Sequence, residues 1–279
     1  MRILLFGHIP VSWDECYISQ ERLGYGMWQA LSQQPVELFV RNLNSTDPWP
    51  IVDVVVLVLY HSEYDLCEFA RQNTQAKFVI GMESLWKEGP DYNFIFDRAG
   101  EAPHVCCMAN PIPDILDMFQ EKIPKIENSV LLDYKYHHSV ADMTEDIAYA
   151  FKSLAESGKY EVHRIAHAHH PLFTWENRFH RKPYLKYISR LRHFERFVVT
   201  HSECYAFGVL DAIAMNVEVF APENFMPKCL FEDLDVKSFR NTHELMEMIK
   251  QPYSPPATPK FTRYSEIAKS LVEKARSSI

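Results

Sequence analysis

Glu203 and Asp211 stand eight residues apart in Glu203-Cys-Tyr-Ala-Phe-Gly-Val-Leu-Asp211. An ionised carboxylate offers acceptors only, so paired hydroxyl donors satisfy it well. Between the two acids, Tyr205, Ala206 and Phe207 lie where a helix would start, and the first N–H groups of a helix can point toward phosphate. The alternative is a surface acid followed by a helix-start acid favoured by the dipole. A diphosphate also needs a cation, and Lys135 follows the apolar run Val130 to Tyr134. That position suits a phosphate ligand, with an ordinary solvated lysine as the other reading. Arg178 is a second cationic candidate. His61 and Glu83 end two further apolar runs, where each either projects toward a ligand or caps backbone groups. His167, His169 and His170 cluster after another such run, but the acids nearby show no metal-ligand spacing, so the expectation is polar contacts and no metal.

The elements that must position these residues alternate regularly. Arg2-Ile-Leu-Leu-Phe6 reads as a buried parallel strand ending at Gly7, which opens the polar stretch from His8 to Glu21. No G-x-G-x-x-G follows, which argues against a nicotinamide or flavin Rossmann enzyme. Leu23, Met27 and Leu31 are spaced as on a helix. Strands are expected at 35–40, 51–59, 76–81, 92–96 and 104–108, with a helix near 65–72. The charged, Pro-containing segment from Glu121 to Asn128 reads as a crossover, after which the alternation restarts with strands at 129–134 and 160–167 and helices at 141–156 and 183–193. Arg196 to Thr200 reads as a strand, Asp211 to Asn216 as a helix, and 217–221 as a strand. Thr262 to Ser278 is expected to be a terminal helix. The organisation is thus α/β, with a Rossmann-like doubly wound domain at 1–124, joined by the 262–279 helix, a second at 125–261, and a ligand cleft between them.

Composition narrows the class. Hydrophobic residues at 47%, charged residues at 24% and the lack of low-complexity tracts indicate a globular protein. A net charge of −8 opposes broad nucleic-acid binding, which is built from clustered Lys and Arg. The six cysteines show no CxxC spacing and read as reduced thiols; with no signal peptide or spanning segment, a cytoplasmic location and no stable membrane insertion are expected. The basic, aromatic segment from Arg181 to Arg196 suits an anionic or membrane surface, or simply the solvated face of a helix.

Ser202 through Pro222 resembles the E-x7-E segment of retaining GT-B glycosyltransferases, especially family four. The second acid here is Asp211 rather than Glu, Cys204-Tyr205-Ala206 replaces a Gly-Phe-Gly, and Asn216 replaces a glycine. The resemblance implies a GT-B fold and a hexosyl- or pentosyltransferase that moves a sugar from a nucleotide-sugar donor, with retention and without metal or other cofactor. It implies that Asp211 accepts from ribose hydroxyls and Glu203 approaches the donor sugar. Tyr205, Ala206, Phe207, Lys135, Arg178, His169 and Gly7 would complete the donor site, and Glu83 and His61 would face an acceptor on the N-terminal side. That acceptor is open among a carbohydrate, a lipid-linked glycan, a protein or a modified nucleic acid. The family's Gly-Arg and Lys-Gly dipeptides are missing, which keeps open a non-catalytic nucleotide- or sugar-binding module. A sugar-nucleotide epimerase and a DNA-base glycosyltransferase are the further alternatives.

Overall fold

Strands covered on both faces carry few polar side chains, and the central strands of the first sheet are of this kind. The computed structural model of the chain describes every residue except 17–18, 59–65, 84–89, 96–104, 108–111, 120, 135–143, 166–177, 180–182, 201–206, 224–233 and 258–259, and for a few others it fixes the backbone alone. The strands are β1 (Arg2–Gly7), β2 (Glu37–Asn42), β3 (Val54–Val58), β4 (Phe78–Glu83), β5 (Tyr92–Ile95) and β6 (Val105–Cys107). They form a six-stranded sheet in the order β2-β1-β3-β4-β5-β6, and every neighbouring pair is parallel. The chain leaves β1 to one side for β2 and returns to the other side for β3, so the winding reverses between β1 and β3.

That reversal depends on Gly7. Its φ is 151°, and a Cβ added there would lie 2.0 Å from the carbonyl oxygen of Val58, its register partner on β3. Helix α1 (Ser19–Leu31) packs on β1 and β3, while α2 (Leu66–Thr74) covers the other face, with Cys67 and Ala70 against Leu4, Phe6, Val55, Leu57 and Val79. The C-terminal helix, Tyr264–Ser278, returns to pack on α1, and the absence of a side chain at Gly26 makes room for the Tyr264 ring, 2.5 Å from where a Cβ would stand.

The chain divides into two compact units, Met1–Asp114 with Phe261–Ile279, and Ile115–Lys260. In the second unit Phe119 lies under the Arg192 guanidinium at 6.0 Å.

The second unit contains β7 (Ser129–Asp133), α3 (Thr144–Glu156), β8 (Glu161–Ile165), β9 (Arg178–Phe179), α4 (Tyr184–Leu191), β10 (Arg196–Val199), α5 (Phe207–Ala214), β11 (Glu218–Pro222), β12 (Val236–Phe239) and α6 (Thr242–Ile249). Its six strands run in the order β12-β11-β10-β7-β8-β9, again all parallel. This is the doubly wound Rossmann order, with the winding reversed between β7 and β10. Phe151 of α3 and Leu245 and Ile249 of α6 close one face over Leu132, Val198 and Phe220, and α5 packs on β10 and β11. The short elements β9, β12 and α6 were not legible as elements in the sequence.

Two helices flank β10 in the chain, and one half-buried cation ties their ends together. Lys125 Nζ donates to the carbonyls of Arg192, which caps α4, and Met215, which follows α5, at 2.9 Å each. A cation at a helix C-terminus complements the dipole. Burial nevertheless pushes the Lys125 ammonium down to about 8, against a smaller upward pull from Glu195.

Replacing Gly7 by Ala is expected to destabilise the chain by about 3 kcal/mol or more, because a backbone carbonyl rather than a flexible side-chain tip must move; urea unfolding of the variant reads the loss. Lys125 gives a pH signature. The unfolded chain holds this proton up to about 10.5 and the folded chain only to about 8, so the unfolding free energy rises with pH across that window and the gain is lost as pH falls through 8. After discounting for partial exposure the rise is about 1–2 kcal/mol. Denaturation of the wild type at pH 7.5 and 10 should show it, and Lys125→Met should not. The comparison stops at pH 10 because burial also holds Tyr253 up to about 12, with the opposite sign above its ordinary value.

Candidate functional site

Open parallel sheets bind ligands beyond the carboxyl ends of their strands, at the point where the winding reverses. In the second unit that point is marked by Asp133, which closes β7, and Thr200, which follows β10. Both are buried, and the Thr200 N–H and hydroxyl donate to the Asp133 carbonyl at 3.2 Å and 3.3 Å. Neither residue was singled out from sequence, since each ends an apolar strand without any motif of its own.

Helix α5 follows β10 on the next turn of the chain. Its sequence, Phe207 through Ala214, is buried at every position but Gly208, and Asp211 is its one charged residue. Burying a carboxylate in an apolar helix requires hydrogen-bond donors. Asp211, only 1% exposed, accepts one from the Tyr184 hydroxyl at 2.9 Å on Oδ1. The helix begins at Phe207, where the sequence sets a helix start for the phosphate-facing N–H groups, and earlier than the Asp211–Asn216 span also read as helix, because Val209 and Leu210 pack inward with it. Asp211 therefore lies beyond the first turn, inside the unit, and is neither a surface acid nor one placed by the dipole at a helix start.

Tyr184 arrives from α4. Pro183, at φ −65° and ψ 147°, precedes that helix, and Tyr184, Tyr187, Ile188 and Leu191 form its buried stripe, while Lys186 is exposed. This is the solvated-face arrangement expected of an amphipathic helix. Tyr184 was missed because its partner lies 27 residues away. The far end of α5 closes on Asn216, at φ 55°, with the Asn216 N–H donating to Ile213 and the Val217 N–H to Ala212. That is a Schellman closure, and asparagine tolerates the left-handed conformation that the resembling family meets with glycine.

Of the other candidates, Phe207 opens α5 and is buried. Arg178 opens β9, in register with Arg164 of β8. In the first unit, Gly7 and the backbone of Glu83 lie at the carboxyl ends of β1 and β4, on either side of β3. His61, Lys135, His169, Glu203, Tyr205 and Ala206 lie outside the described residues. Among the described residues, no three His, Cys, Asp or Glu side chains gather as a metal site would require, and no helix is long and apolar enough to cross a membrane.

By sequence, neither a protein-family model nor a curated protein matches the chain. Solved structures do. A glycosyltransferase involved in avilamycin A biosynthesis superposes with a TM-score of 0.62 at 13% identity, over 99% of this chain and 97% of its own. The S. aureus MnaA–UDP complex gives 0.59 at 10% identity over 99% and 97%. The UDP-GlcNAc 2-epimerase from Methanocaldococcus jannaschii gives 0.57 at 10% identity over 99% and 100%. At these identities the likeness is one of fold: two Rossmann-like parallel-sheet domains consistent with the GT-B glycosyltransferase fold.

Proposed function

We propose that the chain is a glycosyltransferase that moves a sugar from a nucleotide-sugar donor to an acceptor hydroxyl with retention of configuration. The observation that carries this reading is Asp211, a carboxylate buried on the apolar helix that follows β10, in a unit whose strand order reverses beside that strand. The likeness in fold to a glycosyltransferase and to a UDP-bound protein supports it.

In this reading Asp211 accepts from the ribose hydroxyls and Glu203 orients the donor sugar. The bond from the anomeric carbon to the diphosphate oxygen breaks, and the nucleoside diphosphate leaves with the electron pair. A bond from the same carbon to the acceptor oxygen forms, and the acceptor proton is released. Charge developing on the leaving diphosphate is met by Lys135, by Arg178 and by N–H groups at the start of α5, a case of positioned electrostatic stabilisation. Gly7 lets the backbone turn tightly after β1, while Glu83 and His61 meet the acceptor on the first unit. His169 contacts the donor, and Tyr205, Ala206 and Phe207 shape its pocket.

A second reading, a sugar-nucleotide epimerase, is favoured by the likeness to the M. jannaschii enzyme. The two part on the acceptor, because an epimerase inverts a sugar centre without one.

Incubating the protein with UDP-, GDP-, ADP- and CDP-sugars, with and without an acceptor panel, and following products by mass spectrometry separates these outcomes. Asp211→Asn is expected to weaken nucleoside diphosphate binding about 10- to 100-fold, the range for a lost charged hydrogen bond. Glu203→Ala should lower transfer more than it lowers affinity. Unchanged binding and turnover in both variants would end the assignment, and epimer formation without acceptor would replace it with the second reading.

A further inference from the structure

We infer that the chain pairs with a second copy of itself through β2, an outer strand of the first sheet, in an antiparallel register centred on Phe39. The inference is independent of the function proposed above. Of the strands that end the two sheets, β6, β9 and β12 are three, two and four residues long, whereas β2 runs for six. Shortness protects an outer strand against the addition of another, as do prolines and bulges. β2 has none of these: it holds unbroken register with β1 from Glu37 to Asn42 and contains no proline.

The hydrogen-bonding groups of β2 turn alternately toward β1 and away from it. The Glu37 N–H donates to the Met1 carbonyl at 3.1 Å, so Glu37, Phe39 and Arg41 turn their amides inward and Leu38, Val40 and Asn42 turn theirs outward. The Asn42 carbonyl is taken by the Ser45 N–H at 3.0 Å, and ahead of the strand the Val36 N–H is taken by the Gln34 carbonyl at 2.8 Å. Among the described residues nothing bonds the outward N–H or C=O of Leu38 or Val40, and Val40 is 42% exposed.

One register joins all of these groups. Two copies related by a two-fold axis through Phe39 set Leu38 of each opposite Val40 of the other, where both residues exchange N–H···O bonds. Moving the centre one residue either way would call on the Val36 N–H or the Asn42 carbonyl, which are already engaged.

The side chains identify the occupant. In this register Glu37 faces Arg41 of the other copy, and opposite charges across an antiparallel pair stabilise it. The Glu37 side chain is 62% exposed and pairs with Arg2 at 3.3 Å. The Arg41 guanidinium stacks on Trp49 at 4.2 Å and donates to the carbonyls of Ser45 and Asp47, but among the described residues no carboxylate pairs with it. A second copy brings one alongside. Glu-Leu-Phe-Val-Arg is thus complementary to its own reverse, acid against base and apolar against apolar, which an unrelated strand would not be.

A contact this narrow lies at the small end of specific interfaces, so the dimer should dissociate with a constant on the order of 10 µM. Sedimentation velocity of the full chain between about 1 and 200 µM should therefore show a monomer–dimer equilibrium. Val40→Pro removes an N–H that bonds nothing within the chain, and an outer strand tolerates proline there. It should raise the dissociation constant about 30-fold, because symmetry deletes the bond twice, and leave the urea midpoint near that of wild type.

Disulfide trapping reads the register and keeps the inference testable should Val40→Pro fail to fold. The two Phe39 Cα atoms would stand about 4.5 Å apart, as in any pair without hydrogen bonds, which is within disulfide reach, whereas residues 38 and 40 meet each other rather than their own copies. On oxidation Phe39→Cys should form a covalent dimer, while Leu38→Cys and Val40→Cys stay near the background set by the six native cysteines. A wild type that is monomeric throughout the concentration range overturns the inference and leaves the edge to water or to another protein's strand. A dimer that Val40→Pro leaves intact, or that cross-links as readily through Leu38→Cys or Val40→Cys as through Phe39→Cys, overturns it as well.

Discussion

Every neighbouring strand pair in both sheets is parallel, and a parallel pair can be joined only by a crossover that lays chain across a face of the sheet. Most of the arrangement follows from that constraint. The interior strands are covered on both sides, so β3, β7, β10 and β11 are buried at every position. Polar side chains are thereby expelled to strand ends, where Asp133 and Thr200 are found. The same constraint demands close backbone passage where the winding reverses, and Gly7 meets it in the first unit.

The two edges of the second sheet use charge in different ways. At the amino ends of β10, β11 and β12, Arg196 pairs with Glu195 at 2.7 Å and Glu218 at 3.5 Å and donates to the Gln251 carbonyl, while Lys237 pairs with Glu218. Glu195 also accepts from the Asn128 N–H at 2.9 Å. Each buried charge here has an opposite charge beside it, as burial requires. Such a network resists disruption but contributes little net stability over an apolar substitute, and its role is to fix how the strands begin. At the carboxyl edge, by contrast, Asp211 accepts a hydrogen bond from a neutral phenol.

Legibility in the sequence tracked burial. Strands such as Ile3 to Phe6, Val54 to Val58 and Val130 to Leu132 announce themselves as uninterrupted apolar runs, and the repetition of strand and helix revealed two doubly wound units. The element β12, Val-Lys-Ser-Phe, lies at the sheet edge with one fully buried residue, so its pattern carries little signal. Helix α6, not read from sequence, is capped by Asn241, which accepts from the Glu244 N–H, while the Glu244 carboxylate accepts from the Arg240 N–H. The first of these bonds is an ordinary asparagine N-cap. Asp211 was legible as a candidate, but its burial was not, because the apolar stretch ahead of it reads equally as loop or helix. Tyr184 was illegible on principle: the bond that gives it meaning is tertiary.

The departures from the resembling family's pattern can be understood through backbone geometry. What α5 requires at its end is a residue that accepts positive φ, and Asn216 does so at 55° while forming the two hydrogen bonds of the closure. The glycine's identity is dispensable because its conformation is not. Core positions are looser still, since apolar residues of similar volume replace one another with modest cost. A fold can therefore persist at 10–13% identity, as the likeness to the avilamycin glycosyltransferase and the epimerase illustrates. Shortening the second acid from Glu to Asp is a different kind of change, because it moves a charge rather than a backbone. A shorter arm has fewer rotamers, and one held by Tyr184 has fewer again, so the position of this carboxylate is set by the seating of α4 against α5. The placement of Asp211 is therefore governed by the packing of two helices rather than by the reach of one flexible side chain.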